Sequence, residues 1–177
     1  MSNITTIVRQ LSVLEQQQLQ NELTQYSWWT PHVLNNEFPT ALQDGRSIHI
    51  NSVIDGKHVA TLLDKFSLTH EIMKSVAKER VIARSYWHKL ECNDTIPAHT
   101  DSTLYDVIHD RLDNRYQIYL DCPDVDMIVD GQTVNAKTFE NSVVSLDLTQ
   151  PHGYVNNSIT PWIFLVFDVL KPDVKLN

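Results

Sequence analysis

The sequence predicts a mainly β fold with flanking helices: a β-core over about residues 82–170, preceded by a helical portion over about 1–81. Three observations predict it. Past residue 82, short runs rich in Val, Ile, Tyr, Phe and Trp recur at roughly ten-residue spacing, divided by turn residues. Before that point, two longer segments carry apolar residues at helical spacing. No stretch rich in Pro, Gly or Ser separates the two portions, so the 177 residues read as one domain, long enough to bury a core.

The elements follow in order. IVRQLSVLEQQQLQNEL places Ile7, Leu11, Leu14 and Leu19 near one face and predicts an amphipathic helix over about 5–25. SWWTPH breaks it, with Trp28 and Trp29 read as packing residues. SLTHEIMKSVAKERV predicts a second helix, capped by Ser67 or Thr69, with Ile72, Val76 and Val81 turned inward. The rest of the first third reads as irregular chain. The strand-like runs are IARSYWHKL, RYQIYL, VDMIV, QTVNA, SVVSLDL, HGYVN and WIFLVFDVL. Asp130-Gly131, between two of them, is a strong hairpin signal. Many short strands in succession suggest a β-sandwich or barrel.

Composition narrows the function classes. A net charge of −8, with no Lys/Arg cluster, argues against a nucleic-acid footprint and against an anionic membrane surface. No apolar stretch reaches the roughly 18–20 residues of a membrane span. MSNITTIVRQ lacks the basic and apolar regions of a secretory signal, so a cytoplasmic protein is expected, with Cys92 and Cys122 as reduced, non-catalytic thiols.

IPAHTDSTLY raises the possibility of a metal. With eight His and fifteen Asp in the chain, one HxD pair arises by chance, so its setting decides. IARSYWHKL reads as a strand, ECND as a turn, and Ile96 resumes an extended run into His99. Positions i and i+2 of a strand share a face, which would direct His99 and Asp101 together. Imidazole plus carboxylate suits Fe(II), Mn(II) or Zn(II). His152, 53 residues after His99 and between two strand-like runs, is the candidate third ligand. Two His and one Asp would form a facial triad with open positions. The alternatives stay open at this point: His99 and Asp101 as loop residues, His152 as a turn-capping histidine. The remaining histidines read as structural or surface residues. Trp28, Trp29, Tyr86, Trp87 and Tyr105 read as core or rim packing before pocket lining.

Four pieces then carry a family likeness: ARSYWHKLECNDTIPAHTD, NRYQIYLD, IVDGQTVNAKTFENSVVSLDL and PHGYVNNSITPWIFLVFDV. In this order, from Ala83 to Asp168, the chain resembles the aspartyl/asparaginyl beta-hydroxylase family of iron(II)- and 2-oxoglutarate-dependent oxygenases. The resemblance implies a double-stranded β-helix (jelly-roll, cupin-like) core. It implies Fe(II) held by His99, Asp101 and His152, 2-oxoglutarate and O₂ as co-substrates, and hydroxylation of an amino acid or peptidyl side chain. The family offers two arginines to 2-oxoglutarate. Arg115 matches the first, and the second position falls at Trp162. Gln117 stands where the family often has His. No Arg or Lys lies between His152 and Lys171, so no shift of register restores the second cation. The resemblance therefore assigns co-substrate contacts to Arg115, Gln117 and Trp162, with Arg84 in reserve and expected to point outward. The alternative is a metal-binding double-stranded β-helix protein with altered or lost 2-oxoglutarate chemistry. The loops SITPW and STLYDVIHDRLDN are the expected lids.

Overall fold

Thr5, Thr6, Ile7 and Val8 put four β-branched side chains in a row, which favours a pleated strand over a helix. They open β1 (Thr5–Gln10), which pairs antiparallel with β9 (Ser142–Leu146). The helix expected over 5–25 therefore begins later, as α1 (Val13–Thr24). A capping box fixes its start: the Glu15 N–H donates to Ser12 Oγ, and the Ser12 N–H donates to the Glu15 carboxylate at 2.8 Å. Of the four residues expected on one face, Leu11 and Leu19 are buried while Ile7 and Leu14 are exposed, and Leu23 joins Leu19 in the buried stripe of the helix.

This computed structural model describes residues 5–25, 46–54, 57–60, 63–100, 112–147 and 149–173. Within the portion read as helical or irregular lie two further strands, β2 (Arg46–Ile54) and β3 (Lys57–Ala60). Ile48 and Ile50 of β2 are both buried, at the two-residue period of a strand. The second helix is α2 (Ser67–Ala77). Neither Ser67 nor Thr69 caps it, because Phe66 holds the N-cap position. The cap comes from α1. The Glu22 carboxylate accepts from the Leu68 N–H at 2.7 Å, the Thr69 N–H at 3.2 Å and the Thr69 hydroxyl at 2.7 Å. Ile72 is buried as expected and Val76 partly so, while Val81 lies beyond the helix end.

The later strands fall where their sequence runs place them: β4 (Ile82–Leu90), β5 (Thr95–His99), β6 (Leu112–Leu120), β7 (Val125–Val129), β8 (Gln132–Asn135), β10 (His152–Asn156) and β11 (Trp162–Leu170). The β7–β8 hairpin turns on Asp130 (φ 49°) and Gly131 (φ 70°), with Val129 opposite Gln132. Two left-handed residues in a two-residue loop match the right-handed twist of the flanking strands.

The strands form two antiparallel sheets, ordered β1-β9-β6-β11-β4-β2-β3 and β5-β10-β7-β8. One face of the larger sheet takes both helices. Trp87, Ile118, Leu165 and Phe167 pack there with Leu19, Leu23, Ile72 and Met73. The other face meets the smaller sheet, where Tyr119, Val144, Trp162, Phe164 and Val166 pack with Val125, Met127, Val129 and Tyr154. With both faces covered, β6 from Arg115 onward and nearly all of β11 are buried at consecutive rather than alternate positions. Among the described residues, no helix is long and apolar enough to cross a membrane.

Candidate metal centre

His99 closes β5 and His152 opens β10, and the two stand directly opposite each other across the β5–β10 pairing. Their ring centroids are 4.8 Å apart with the planes inclined at 47°. His152 is buried and His99 half-buried. Each ring is held by its own chain in the same way. His99 Nδ1 lies 2.8 Å from the Pro97 carbonyl, and His152 Nδ1 lies 3.1 Å from the Gln150 carbonyl. A carbonyl only accepts, so Nδ1 carries the proton in both rings. In the neutral imidazole, Nε2 is then the basic nitrogen. That is the second-sphere arrangement that orients histidines as metal ligands. Two imidazoles that meet one ion at right angles through nitrogens at about 2.1 Å have centroids about 4.5 Å apart. The observed 4.8 Å is close to that spacing.

Asp101, the expected third ligand, lies outside the described residues, as do Trp28, Trp29, Tyr105, His32, His109 and the part of the expected lid at 102–111. β5 ends at His99, so the shared-face argument for His99 and Asp101 does not rest on strand geometry. Among the described residues, no three His, Cys, Asp or Glu side chains gather into a metal-binding group.

Asn156, at the other end of β10, fixes the orientation of the interior. Its Nδ2 donates to the carbonyls of Leu90, Glu91 and Thr160, at 3.2, 3.0 and 2.9 Å. This ties that end of β10 to the end of β4 and to the loop before β11. His152 therefore lies toward the opposite end, where Arg115 pairs with Asp168 between β6 and β11. Tyr154 sits midway, its hydroxyl donating to Gln117 Oε1 at 2.6 Å. The Tyr119 hydroxyl donates to the same oxygen. Burial pushes the Tyr154 phenol up to about 12 and the Tyr119 phenol well above its ordinary value, so both remain neutral donors.

Arg115 and Asp168 are both buried. Arg115 Nε donates to Asp168 Oδ1 at 2.8 Å and Nη2 to Oδ2 at 3.1 Å, a bidentate pairing. Arg84, expected to point outward, instead donates to Asp168 Oδ2 from the neighbouring strand. Two guanidiniums thus share one carboxylate. Sequence reasoning missed Asp168. Its signal was a lone charge in the apolar run WIFLVFDVL, since a buried carboxylate requires a partner.

Trp162 lies six residues from Asp168 along β11, about 20 Å at the strand rise. It is fully buried and stacks on Phe164 at 4.2 Å, with Tyr119 and Tyr154 against it at 5.0 and 5.3 Å. These four rings fill the interior at the Asn156 end. Tyr86 is half-buried, while Trp87 packs on the helical side of the larger sheet. His88 is buried against Phe164 with its Nδ1 3.0 Å from Ser47 Oγ, and burial lowers it to about 4. Buried Cys122 is raised to about 12 by desolvation and is an inert thiol.

Comparison with solved structures decides the architecture. An oxidoreductase of the 2OG-Fe(II) oxygenase family from Burkholderia pseudomallei superposes with a TM-score of 0.64 at 11% identity, over 96% of this chain and 85% of its own. The fold is a double-stranded β-helix. A non-heme monooxygenase, ThoJ, solved as a nickel complex, superposes with a TM-score of 0.55 at 12% identity, over 98% of this chain and 76% of its own. No protein-family model and no curated protein matches the sequence.

Proposed function

We propose that this double-stranded β-helix protein is an Fe(II)- and 2-oxoglutarate-dependent dioxygenase that hydroxylates an amino acid or a peptidyl side chain. His99, Asp101 and His152 would hold the iron. One observation carries the reading: His99 and His152 face each other with both Nδ1–H groups tied to carbonyls, which presents two oriented Nε2 ligands. The sequence likeness to the aspartyl/asparaginyl beta-hydroxylases and the fold shared with a 2OG-Fe(II) oxygenase and a non-heme monooxygenase support it. When bound, the iron supplies oxygen activation coupled to decarboxylation of 2-oxoglutarate.

The chain's own residues bind, orient and exclude water. Among the described residues, the Arg84–Asp168–Arg115 cluster brings two guanidiniums to one carboxylate, and this supports Arg115 as the electrostatic partner of the co-substrate carboxylate. Gln117, fixed by two tyrosines, offers hydrogen bonding without charge. The aromatic pack of Trp162, Phe164, Tyr119 and Tyr154 keeps the interior dry.

A second reading rests on Trp162. With an indole in place of a cation, and with Nε and Nη2 of Arg115 engaged by Asp168, the protein binds a metal without 2-oxoglutarate chemistry. One experiment separates the two. 2-Oxoglutarate is titrated into the Mn(II)-loaded protein without oxygen, and succinate is then measured with Fe(II), ascorbate and air. Binding and succinate formation, both lost in Arg115→Ala, are expected. Metal binding without 2-oxoglutarate binding selects the second reading. Unchanged metal affinity in His99→Ala or His152→Ala eliminates both.

A further inference from the structure

We propose that Gly153 is a positioning residue for the two histidines, setting the separation of β5 and β10 so that both imidazoles are arranged before any metal arrives. The inference deepens the proposed function and, as far as metal affinity is concerned, rests on it.

His152 lies opposite His99, but two residues later Tyr154 lies opposite Ile96. One residue of β10, Gly153, therefore faces two of β5, Pro97 and Ala98. This is a bulge on the edge strand of the smaller sheet, a place where proline is tolerated. At the bulge the strands come unusually close. A Cβ on residue 153 would stand 2.6 Å from the Ile96 carbonyl oxygen, 2.8 Å from the Ala98 nitrogen and 2.9 Å from Ala98 Cα. All three are backbone atoms, so no rotamer change relieves the contact. Any side chain at 153 must push β5 away from β10 or undo the bulge.

The same bulge orients the His99 ring, because the carbonyl that accepts from its Nδ1 belongs to Pro97. His152 is held from the other side, by Gln150 in the loop before β10. Gly153 thus acts on His99 through β5 and leaves the support of His152 alone. That asymmetry separates a positioning role from a general loss of packing.

The test is Gly153→Ala, read first without metal. Nitrogen-15 NMR of the wild-type protein is expected to show both histidines as Nδ1–H tautomers. In Gly153→Ala, His99 is expected to lose that fixed tautomer while His152 keeps it. Co(II) affinity is expected to fall by about 10–100-fold, the range seen when groups that orient metal-bound histidines are lost. A folded Gly153→Ala protein with both tautomers and Co(II) affinity unchanged overturns the proposal. If Gly153→Ala does not fold, Pro97→Gly loosens the bulge from the other strand and leaves β10 intact. It is expected to release His99 in the same way, and an unchanged His99 tautomer there overturns the proposal. If the wild-type protein binds no Co(II), the proposed function fails, and the positioning role is still decided by the metal-free tautomers.

Discussion

His88 shows at the residue scale what the interior does to a titratable group. Desolvation holds its pKa at about 4, below the ordinary 6.5, and the attraction of Asp94 offsets this only in part. Between these values the unfolded chain binds a proton that the folded chain does not, so stability rises with pH across the window. On acidification from about 6.5 to 4, the protein is expected to lose about 3 kcal/mol from this group alone. Above that window the contribution is flat. Urea unfolding at a series of pH values checks it, and His88→Gln, which keeps a hydrogen-bonding group beside Ser47, should remove one proton from the slope. Asp168 gives a second expectation at this scale. Removing a fully buried carboxylate takes from Arg115 and Arg84 the ion pair they share, so Asp168→Ala is expected to cost about 3–5 kcal/mol in urea unfolding. The double variant Arg115→Met with Asp168→Leu, which replaces the central pair by apolar volume, should recover much of that loss.

At the element scale, the start of α2 depends on α1. Helix N-termini leave N–H groups without intrahelical partners, and here the Glu22 carboxylate takes two of them. Glu22→Ala is expected to destabilise the protein by about 1–2 kcal/mol, the scale of a lost N-cap, with hydrogen exchange rising first at Leu68 and Thr69. The sequence offered Ser67 and Thr69 as caps because local chemistry allows them. The actual cap lies 47 residues from Thr69, where no local pattern can show it. β1 illustrates a different conflict. Ile7, Leu11 and Leu14 satisfy a helical period, but the β-branched run from Thr5 and the capping box at Ser12 divide the segment into strand and helix. By contrast, the runs after residue 82 and the Asp130-Gly131 hairpin were legible, because their strand period and turn chemistry are local.

For the whole molecule, Trp162 sets what the interior can hold. Its indole belongs to a four-ring pack joining the two sheets, so Trp162→Ala is expected to cost about 3–5 kcal/mol through cavity formation. Trp162→Arg restores the cation that the family resemblance expects, but places it among aromatic rings. That variant is expected to melt lower than the wild type, and because residue 162 stands at the Asn156 end, away from His152 and Arg115, 2-oxoglutarate with Mn(II) should raise both melting temperatures equally, as thermal unfolding with and without ligand would show. A larger ligand shift in the variant would mean that this end of the barrel faces the co-substrate.

By itself, the sequence determined the strands after residue 82, the hairpin turn, the helical character of two segments and the candidacy of His99 and His152. Each of these rests on periodicity, turn chemistry or residue type, which act over a few neighbours. Only the tertiary structure decided that His99 and His152 face each other, that Glu22 caps a distant helix, and that Arg115 and Arg84 meet on Asp168. These are contacts between strands and helices far apart in the chain. Their geometry follows from sheet order and register, and in β5 and β10 from a bulge that only a residue without a side chain permits.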